Sequence, residues 1–84
     1  MTNDEIKSHV HEFIQKNFLF DAKRVVGEDE SLLGSGIVDS TGVLELVGFL
    51  EEKFNTKFKD EELIGENFDS IAKIASFIIR KKSL

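Results

Sequence analysis

Residues 37–54 read IVDSTGVLELVGFLEEKF and decide the fold of this 84-residue chain. At 100° per residue this stretch predicts an amphipathic helix that begins after Asp39 or Ser40, both good N-caps, and runs to about Phe54. Its predicted buried face holds Val43, Leu46, Val47, Leu50 and Phe54. Its predicted solvent face holds Thr41, Glu45, Gly48 and Glu52, with Phe49 at the edge. A serine at the exposed start of an acidic helix is the best candidate for chemistry in this chain.

The segment before this helix divides into a helix and a long loop. A regular apolar face predicts a helix over residues 3–18, with Thr2 or Asn3 as its N-cap. That face is formed by Ile6, Val10, Phe13, Ile14 and Phe18. Residues 19–38 show no period and contain three glycines, which predicts a long connection of the kind that is commonly functional. Its expected anchors are Leu32, Leu33, Ile37 and Val38.

The segment after the central helix predicts one short and one longer helix. Residues 60–64 are expected to make about one turn before Gly65 stops it. A last helix is predicted from about Asp69 to Lys81, with three bases at its C-terminal end. Its apolar face holds Ile71, Ile74, Ala75 and Ile78. The predicted fold class is all-α, a small four-helix bundle of three main helices and one short helix.

Composition predicts a single soluble domain over residues 1–84. Apolar residues make up 40% of the chain and charged residues 32%, which is ordinary for a globular protein and too apolar for a disordered one. Cysteine is absent, so disulfides and thiolate metal sites are excluded. Residues 1–5 resemble no signal peptide, and no apolar run is long enough to span a membrane. A cytoplasmic monomer is expected.

The charge of the chain is unevenly distributed around the serine. Residues 28–69 hold 12 acids and 3 bases, whereas the rest of the chain holds 4 acids and 8 bases. Such an acidic region repels a phosphate backbone and attracts basic protein surfaces. Nucleic acid is therefore not an expected partner, and basic proteins are. A solvated acidic face without a partner is the alternative.

Other kinds of site find little support. His9 and His11 lie two apart on the first helix, without cysteines or an HExxH pattern, so a metal site is not expected. A hydrolase that uses Ser40 would need a nearby base and an oxyanion hole, and no G-x-S-x-G motif is present. The acidic loops lack the order of a calcium loop, and there is no P-loop or dinucleotide fingerprint.

The order of these elements resembles the acyl carrier proteins over nearly the whole chain. The run Gly36-Ile37-Val38-Asp39-Ser40, the acidic helix, the short third helix and the closing segment at residues 67–71 carry the resemblance. It implies that Ser40 is not a catalyst. A separate phosphopantetheinyl transferase would attach 4′-phosphopantetheine to its hydroxyl, and the thiol of that group would carry an acyl or aminoacyl cargo as a thioester. Asp39 would be an N-cap or a contact for the modifying enzyme.

The resemblance also implies a partner-docking face on the central helix. A loading ligase and a downstream transferase or synthase would meet Thr41, Glu45, Gly48 and Glu52 through basic surfaces. Two positions depart from the family pattern, because Thr41 and Gly48 replace larger apolar residues. We hypothesise that Phe49 provides the apolar contact instead, for a dedicated enzyme set; packing of Phe49 against the long loop is the alternative. Gly42 and Gly48 should each cost up to ~1 kcal/mol relative to alanine, which suggests a further constraint at both positions.

The cargo stays open at this stage. The resemblance implies a cleft for an acyl chain, lined by Val47, Leu50, Leu63, Ile64, Ile71 and Ala75, although plain core packing is the more common state of apolar residues at this spacing. Fatty acyl, hydroxyacyl, aminoacyl and polyketide groups all remain candidates, in a specialised biosynthetic pathway. The Asp-Ser-Thr-Gly run also resembles carriers loaded with an amino acid. An unmodified helical adaptor that docks through its acidic face is the alternative function.

Overall fold

The computed structural model describes residues 2–19 and 24–83, and this part of the chain contains helices and turns without strands. Helix α1 spans Asn3–Phe18, α2 spans Ser40–Lys53, α3 spans Gly65–Phe68 and α4 spans Ile71–Ser83. A single 3₁₀ turn, Asp60–Glu62, precedes α3. The predicted all-α bundle of three main helices and one short helix, with a long loop between the first two, is confirmed.

Side-chain caps fix where the main helices begin. Thr2 caps α1, since its hydroxyl accepts a hydrogen bond from the Glu5 N–H at 3.2 Å while the Glu5 carboxylate accepts from the Thr2 N–H at 3.3 Å. Ser70 precedes α4, and its hydroxyl accepts from the Lys73 N–H at 3.1 Å. The last helix therefore begins two residues later than the predicted start at Asp69.

The core lies where α1, α2 and α4 meet, and α1 packs mainly against α4. The predicted apolar faces supply most of it, in agreement with the helical periodicity. The buried members from the three helices are Ile6, Val10, Ile14, Leu46, Val47, Leu50, Ile71, Ile74, Ala75 and Ile78. Phe13, Phe18 and Val43 are only partly buried and pack around this centre.

The prediction that Gly65 ends a helix is wrong. Ile64 is extended, at φ −99° and ψ 144°, and α3 starts at Gly65 itself. The Asn67 N–H donates to the Ile64 carbonyl at 3.0 Å, and the Asn67 side chain donates to the Glu62 carbonyl at 2.9 Å. The turn predicted over residues 60–64 therefore ends two residues earlier, at Glu62, and the glycine opens the next turn. A β-carbon on Gly65 would lie 3.1 Å from Leu33 Cδ1, so its small size lets the long loop approach.

The long loop is held down by apolar side chains and by one carboxylate. Leu32 and Val38 are fully buried as predicted, and Ile37 is partly buried. Leu33, the remaining predicted anchor, is 36% exposed, because its side chain lies over Gly65 at the surface and not in the core. Val26, which the sequence did not single out, is a further buried anchor.

Asp69 ties this loop to the junction of α3 and α4. Its carboxylate accepts from the Ser31 hydroxyl at 2.8 and 2.9 Å and from the Leu33 N–H at 3.1 Å. Its backbone carbonyl accepts from the Leu32 N–H at 2.6 Å. These bonds satisfy backbone groups that the irregular loop cannot pair within itself. The loop that leads into α2 is thus positioned by a residue from the far end of the chain.

Candidate functional site

Ser40 is the first residue of α2 and its side chain is exposed to solvent. Asp39 is the N-cap, in extended conformation, and its Oδ1 accepts a hydrogen bond from the Gly42 N–H at 2.7 Å. The Val43 N–H donates to the Asp39 carbonyl at 3.0 Å and closes the first turn. Of the two N-caps that the sequence allowed, the structure selects Asp39, which leaves the Ser40 hydroxyl free of a capping role.

The backbone around Ser40 is suited to an anion. Among the described residues, no acceptor pairs with the N–H groups of Ser40 and Thr41. These unpaired donors sit at the positive end of the dipole of a 14-residue helix. The Asp39 carboxylate is directed to Gly42, so it caps the helix beside the serine. A phosphodiester on Ser40 therefore fits the groups that are present here.

Gly42 fixes the position of this turn because two other segments approach it closely. A β-carbon at Gly42 would lie 2.8 Å from Phe18 Cε1 and 3.2 Å from Val38 Cγ1. The end of α1 and the end of the long loop thus both pack on the first turn of α2. This contact explains why a glycine occupies position 42 of the helix despite its low helix propensity. A larger residue would have to displace Phe18.

A shallow depression of about 310 Å³ lies beside Ser40, between the end of α1 and the start of α2. Its wall includes Asp39, Thr41 and Glu45, together with Gly36 in the left-handed region at φ 80°. The serine thus stands next to an open, acidic surface that another protein can reach.

The solvent face of α2 carries the four residues that the sequence placed there. Thr41, Glu45, Gly48 and Glu52 are all exposed. A β-carbon on Gly48 would meet no atom within 4 Å, so nothing inside the fold requires a glycine at this position. Sequence reasoning missed Leu44, which is 68% exposed one turn after the serine. Its signal was available, because it is an apolar residue outside the predicted buried face.

Comparison with known proteins supports a carrier. Two relatives from Streptococcus suis, from strains 98HAH33 and 05ZYH33, are both named D-alanyl carrier protein. They are 32% and 29% identical to this chain over 75 residues, which cover 89% of the chain and 92% of each relative. No protein-family model matches the chain.

The chain belongs to the acyl carrier protein family. Its function is therefore that of a carrier protein, in a family whose members use phosphopantetheine. No helix within residues 2–19 and 24–83 is long and apolar enough to cross a membrane.

Phe49 of this carrier packs against α1. Its ring stacks on Phe13 with centroids 4.1 Å apart and planes at 14°, and it meets Phe54 edge-on at 6.4 Å. The ring is half-buried, so part of it contributes to the fold and part reaches the surface. Among the described residues, its aromatic contacts are with Phe13 of α1 and with Phe54, which directly follows α2.

The six residues expected to line an acyl cleft fall into two groups. Leu50, Ile71 and Ala75 are at most 1% exposed and Val47 is 8% exposed, all within the core. Leu63 and Ile64 are 37% and 50% exposed, on the segment before α3. None of the five depressions described on this carrier is lined by any of the six.

The two histidines of the carrier lie on α1. Within the described residues, no group of three or more His, Asp or Glu side chains is arranged to hold a metal ion. The His9 ring instead meets Phe54 edge-on at 6.3 Å. Both histidines are partly buried on α1.

Proposed function

We propose that this carrier receives 4′-phosphopantetheine on the Ser40 hydroxyl and presents a small acyl or aminoacyl cargo to partner enzymes in the cytoplasm. The observation that carries the proposal is the exposed position of Ser40 as the first residue of α2, beside two unpaired N–H groups. When bound, the group supplies a terminal thiol that holds the cargo as a thioester.

Neighbouring side chains fix the position of the first turn of α2, which carries the proposed attachment point. Asp39 caps α2 through the Gly42 N–H, and the Phe18 ring lies against Gly42. The free N–H groups of Ser40 and Thr41 favour a phosphodiester because they carry partial positive charge. The Asp39 carboxylate next to Ser40 accepts from the Gly42 N–H, so we assign activation of the Ser40 hydroxyl to groups of the modifying transferase.

Docking is assigned to the exposed face of α2. The carboxylates of Glu45 and Glu52 attract Arg and Lys side chains of a phosphopantetheinyl transferase, a loading ligase and a downstream transferase or synthase. Leu44 offers apolar surface at the edge of this face, one turn from the serine. Gly48 leaves space beside Leu44 for a partner side chain, since no atom of the described residues lies within 4 Å of a β-carbon at this position.

The cargo that we propose is an aminoacyl group, with D-alanyl as the first candidate. The names of the two relatives support it. The close packing of Leu50, Ile71 and Ala75 also favours a small cargo, because a long acyl chain would have to separate fully buried side chains. A D-alanyl group needs no such space and remains outside the bundle.

Intact mass spectrometry tests the attachment directly. After incubation with coenzyme A and a phosphopantetheinyl transferase, the protein should gain the mass of one phosphopantetheine group. Ser40→Ala should gain nothing, whereas Ser76→Ala, which removes another exposed serine, should be modified like the parent. No gain by the parent protein would favour an unmodified adaptor. Mass analysis of the protein from its native cell would then identify the cargo.

A further inference from the structure

A second site lies at the opposite end of α2 from Ser40. A groove of about 380 Å³ opens between α1, the end of α2 and α4. Its floor is apolar, formed by Ile6, Phe54 and Ile78, whose residues are only 3%, 4% and 1% exposed. The volume falls within the range of small-molecule sites, which are mostly apolar with a few placed polar groups.

Among the described residues, the charged side chains on the rim of this groove are both basic. Lys53 and Lys82 line it, and none of the acids in the described part of the chain does. The other four described depressions each include at least one carboxylate. Within the described residues, neither lysine forms an ion pair. A protein of net charge −5 thus keeps two ammonium groups available beside one apolar groove.

Lys82 also offsets an unfavourable feature of this end of α2. The last carbonyls of a helix carry partial negative charge, which repels an anion. The Lys82 ammonium donates a hydrogen bond to the Phe54 carbonyl at 2.8 Å, and this bond holds the cation at the edge of the groove. Asn55, in the left-handed region at φ 50°, turns the chain away directly after Phe54 and forms part of the wall.

We propose that this groove binds an amphiphilic carboxylate, with the apolar tail against Ile6, Phe54 and Ile78 and the carboxylate at Lys53 and Lys82. The 14 residues of α2 separate the groove from Ser40 by about 20 Å along the helix. The site is therefore distinct from the attachment point, and the proposal does not depend on the modification of Ser40.

A titration followed by NMR tests the site on the full, unmodified chain. Decanoate, kept below the concentration at which it aggregates, is the probe ligand, and backbone amide shifts are recorded. Saturable one-to-one binding with the largest shifts around Ile6, Phe54 and Ile78 is expected. Decanol, which has the same tail without the charge, should bind more weakly.

Charge variants make the test specific. Lys53→Gln should weaken decanoate binding about threefold and Lys53→Glu about tenfold, because each removes or reverses an exposed partner of the carboxylate. Lys73→Glu is the matched control, since Lys73 is an exposed lysine of α4 outside the groove and should leave the affinity unchanged. The proposal is overturned if decanoate causes no saturable shifts at the groove, if decanol binds equally well, or if Lys53→Glu and Lys73→Glu behave alike.

Discussion

The Phe18 ring, at the end of α1, lies against Gly42, in the first turn of α2, so closely that a β-carbon on the glycine would stand 2.8 Å from Phe18 Cε1. Gly42 is buried, whereas Gly48, six residues later on the same helix, is exposed and has open space around it. Close packing therefore explains the glycine at position 42 but not the one at position 48. The same substitution by alanine should change the stability of the protein in opposite directions at the two positions.

We expect Gly42→Ala to destabilise the protein by about 1–3 kcal/mol, since the new methyl group overpacks the contact with Phe18 and Val38. Gly48→Ala should stabilise it by up to ~1 kcal/mol, because alanine is the better helix former and meets no neighbour. Urea denaturation followed by circular dichroism measures both. A gain in stability for Gly42→Ala would show that Phe18 moves aside without cost.

We expect Asp69→Ala to cost about 1–3 kcal/mol of stability, because it leaves the Ser31 hydroxyl and the Leu33 N–H without their acceptor. Ser31→Ala should cost less, as the Leu33 bond remains. Thermal unfolding measures both, and Glu61→Ala, at an exposed position, serves as the control. Equal stability of Asp69→Ala and Glu61→Ala would contradict a role for Asp69 in holding the loop.

Glu62 should make stability depend on acid pH. The Lys59 N–H at 2.8 Å and then the Lys81 ammonium at 2.8 Å lower the pKa of the Glu62 carboxyl below its ordinary value of 4.5. The unfolded chain therefore binds a proton more readily than the folded one. The contribution of Glu62 is complete above pH 4.5 and is lost as the pH falls through the lowered pKa.

Melting temperatures recorded from about pH 3 to about pH 7 test this dependence, because carboxyl groups titrate within this range. Glu62→Gln cannot lose a charge, so its melting temperature should fall less than that of the parent as the pH drops. Parallel curves for the two proteins would rule out Glu62 as a source of the dependence.

Leu44→Ala should separate docking from folding. Because this side chain is 68% exposed, its removal should change stability by no more than ~0.5 kcal/mol. If partners bury it, the efficiency of Ser40 modification or of cargo loading should fall about tenfold, as expected for burial of most of a leucine side chain. Steady-state kcat/KM with the transferase or ligase measures this, and unchanged values with both enzymes would remove Leu44 from the docking face.

Phe49→Ala should behave differently, because Phe49 stacks on Phe13 at 4.1 Å. A loss of about 2 kcal/mol in stability is expected from a half-buried aromatic side chain. Any loss of partner activity must therefore be compared at a temperature where the variant remains folded. Full activity under those conditions would leave Phe49 with a role in packing alone, and it would contradict our hypothesis that it replaces the apolar contact missing at Gly48.

Helix positions and buried faces were accessible from the sequence because they depend on local periodicity and caps. Residues such as Leu46 and Ile74 follow from spacing alone. The start of α3 at Gly65 and the exposure of Leu33 were not accessible, because both depend on how the loop meets α3, and this contact joins residues far apart in the chain. The role of Asp69 was missed for the same reason, since an aspartate before a helix reads locally as a cap.

The site divides in the same way. The place of Ser40 at the start of α2 follows from a local pattern, whereas the choice of Asp39 as cap is evident only from its 2.7 Å bond to Gly42. The close approach of Phe18 to Gly42 could not be predicted, because it is set by the angle at which α1 meets α2. The groove beside Lys53 and Lys82 likewise needs three helices to be assembled before it exists.

The bonds between Ser31 and Asp69 connect positions 38 residues apart. During synthesis, these bonds cannot form until residues well beyond α2 have left the ribosome. A nascent chain that stops short of Asp69 would lack the bonds that tie residues 31–33 of the long loop to the start of α4.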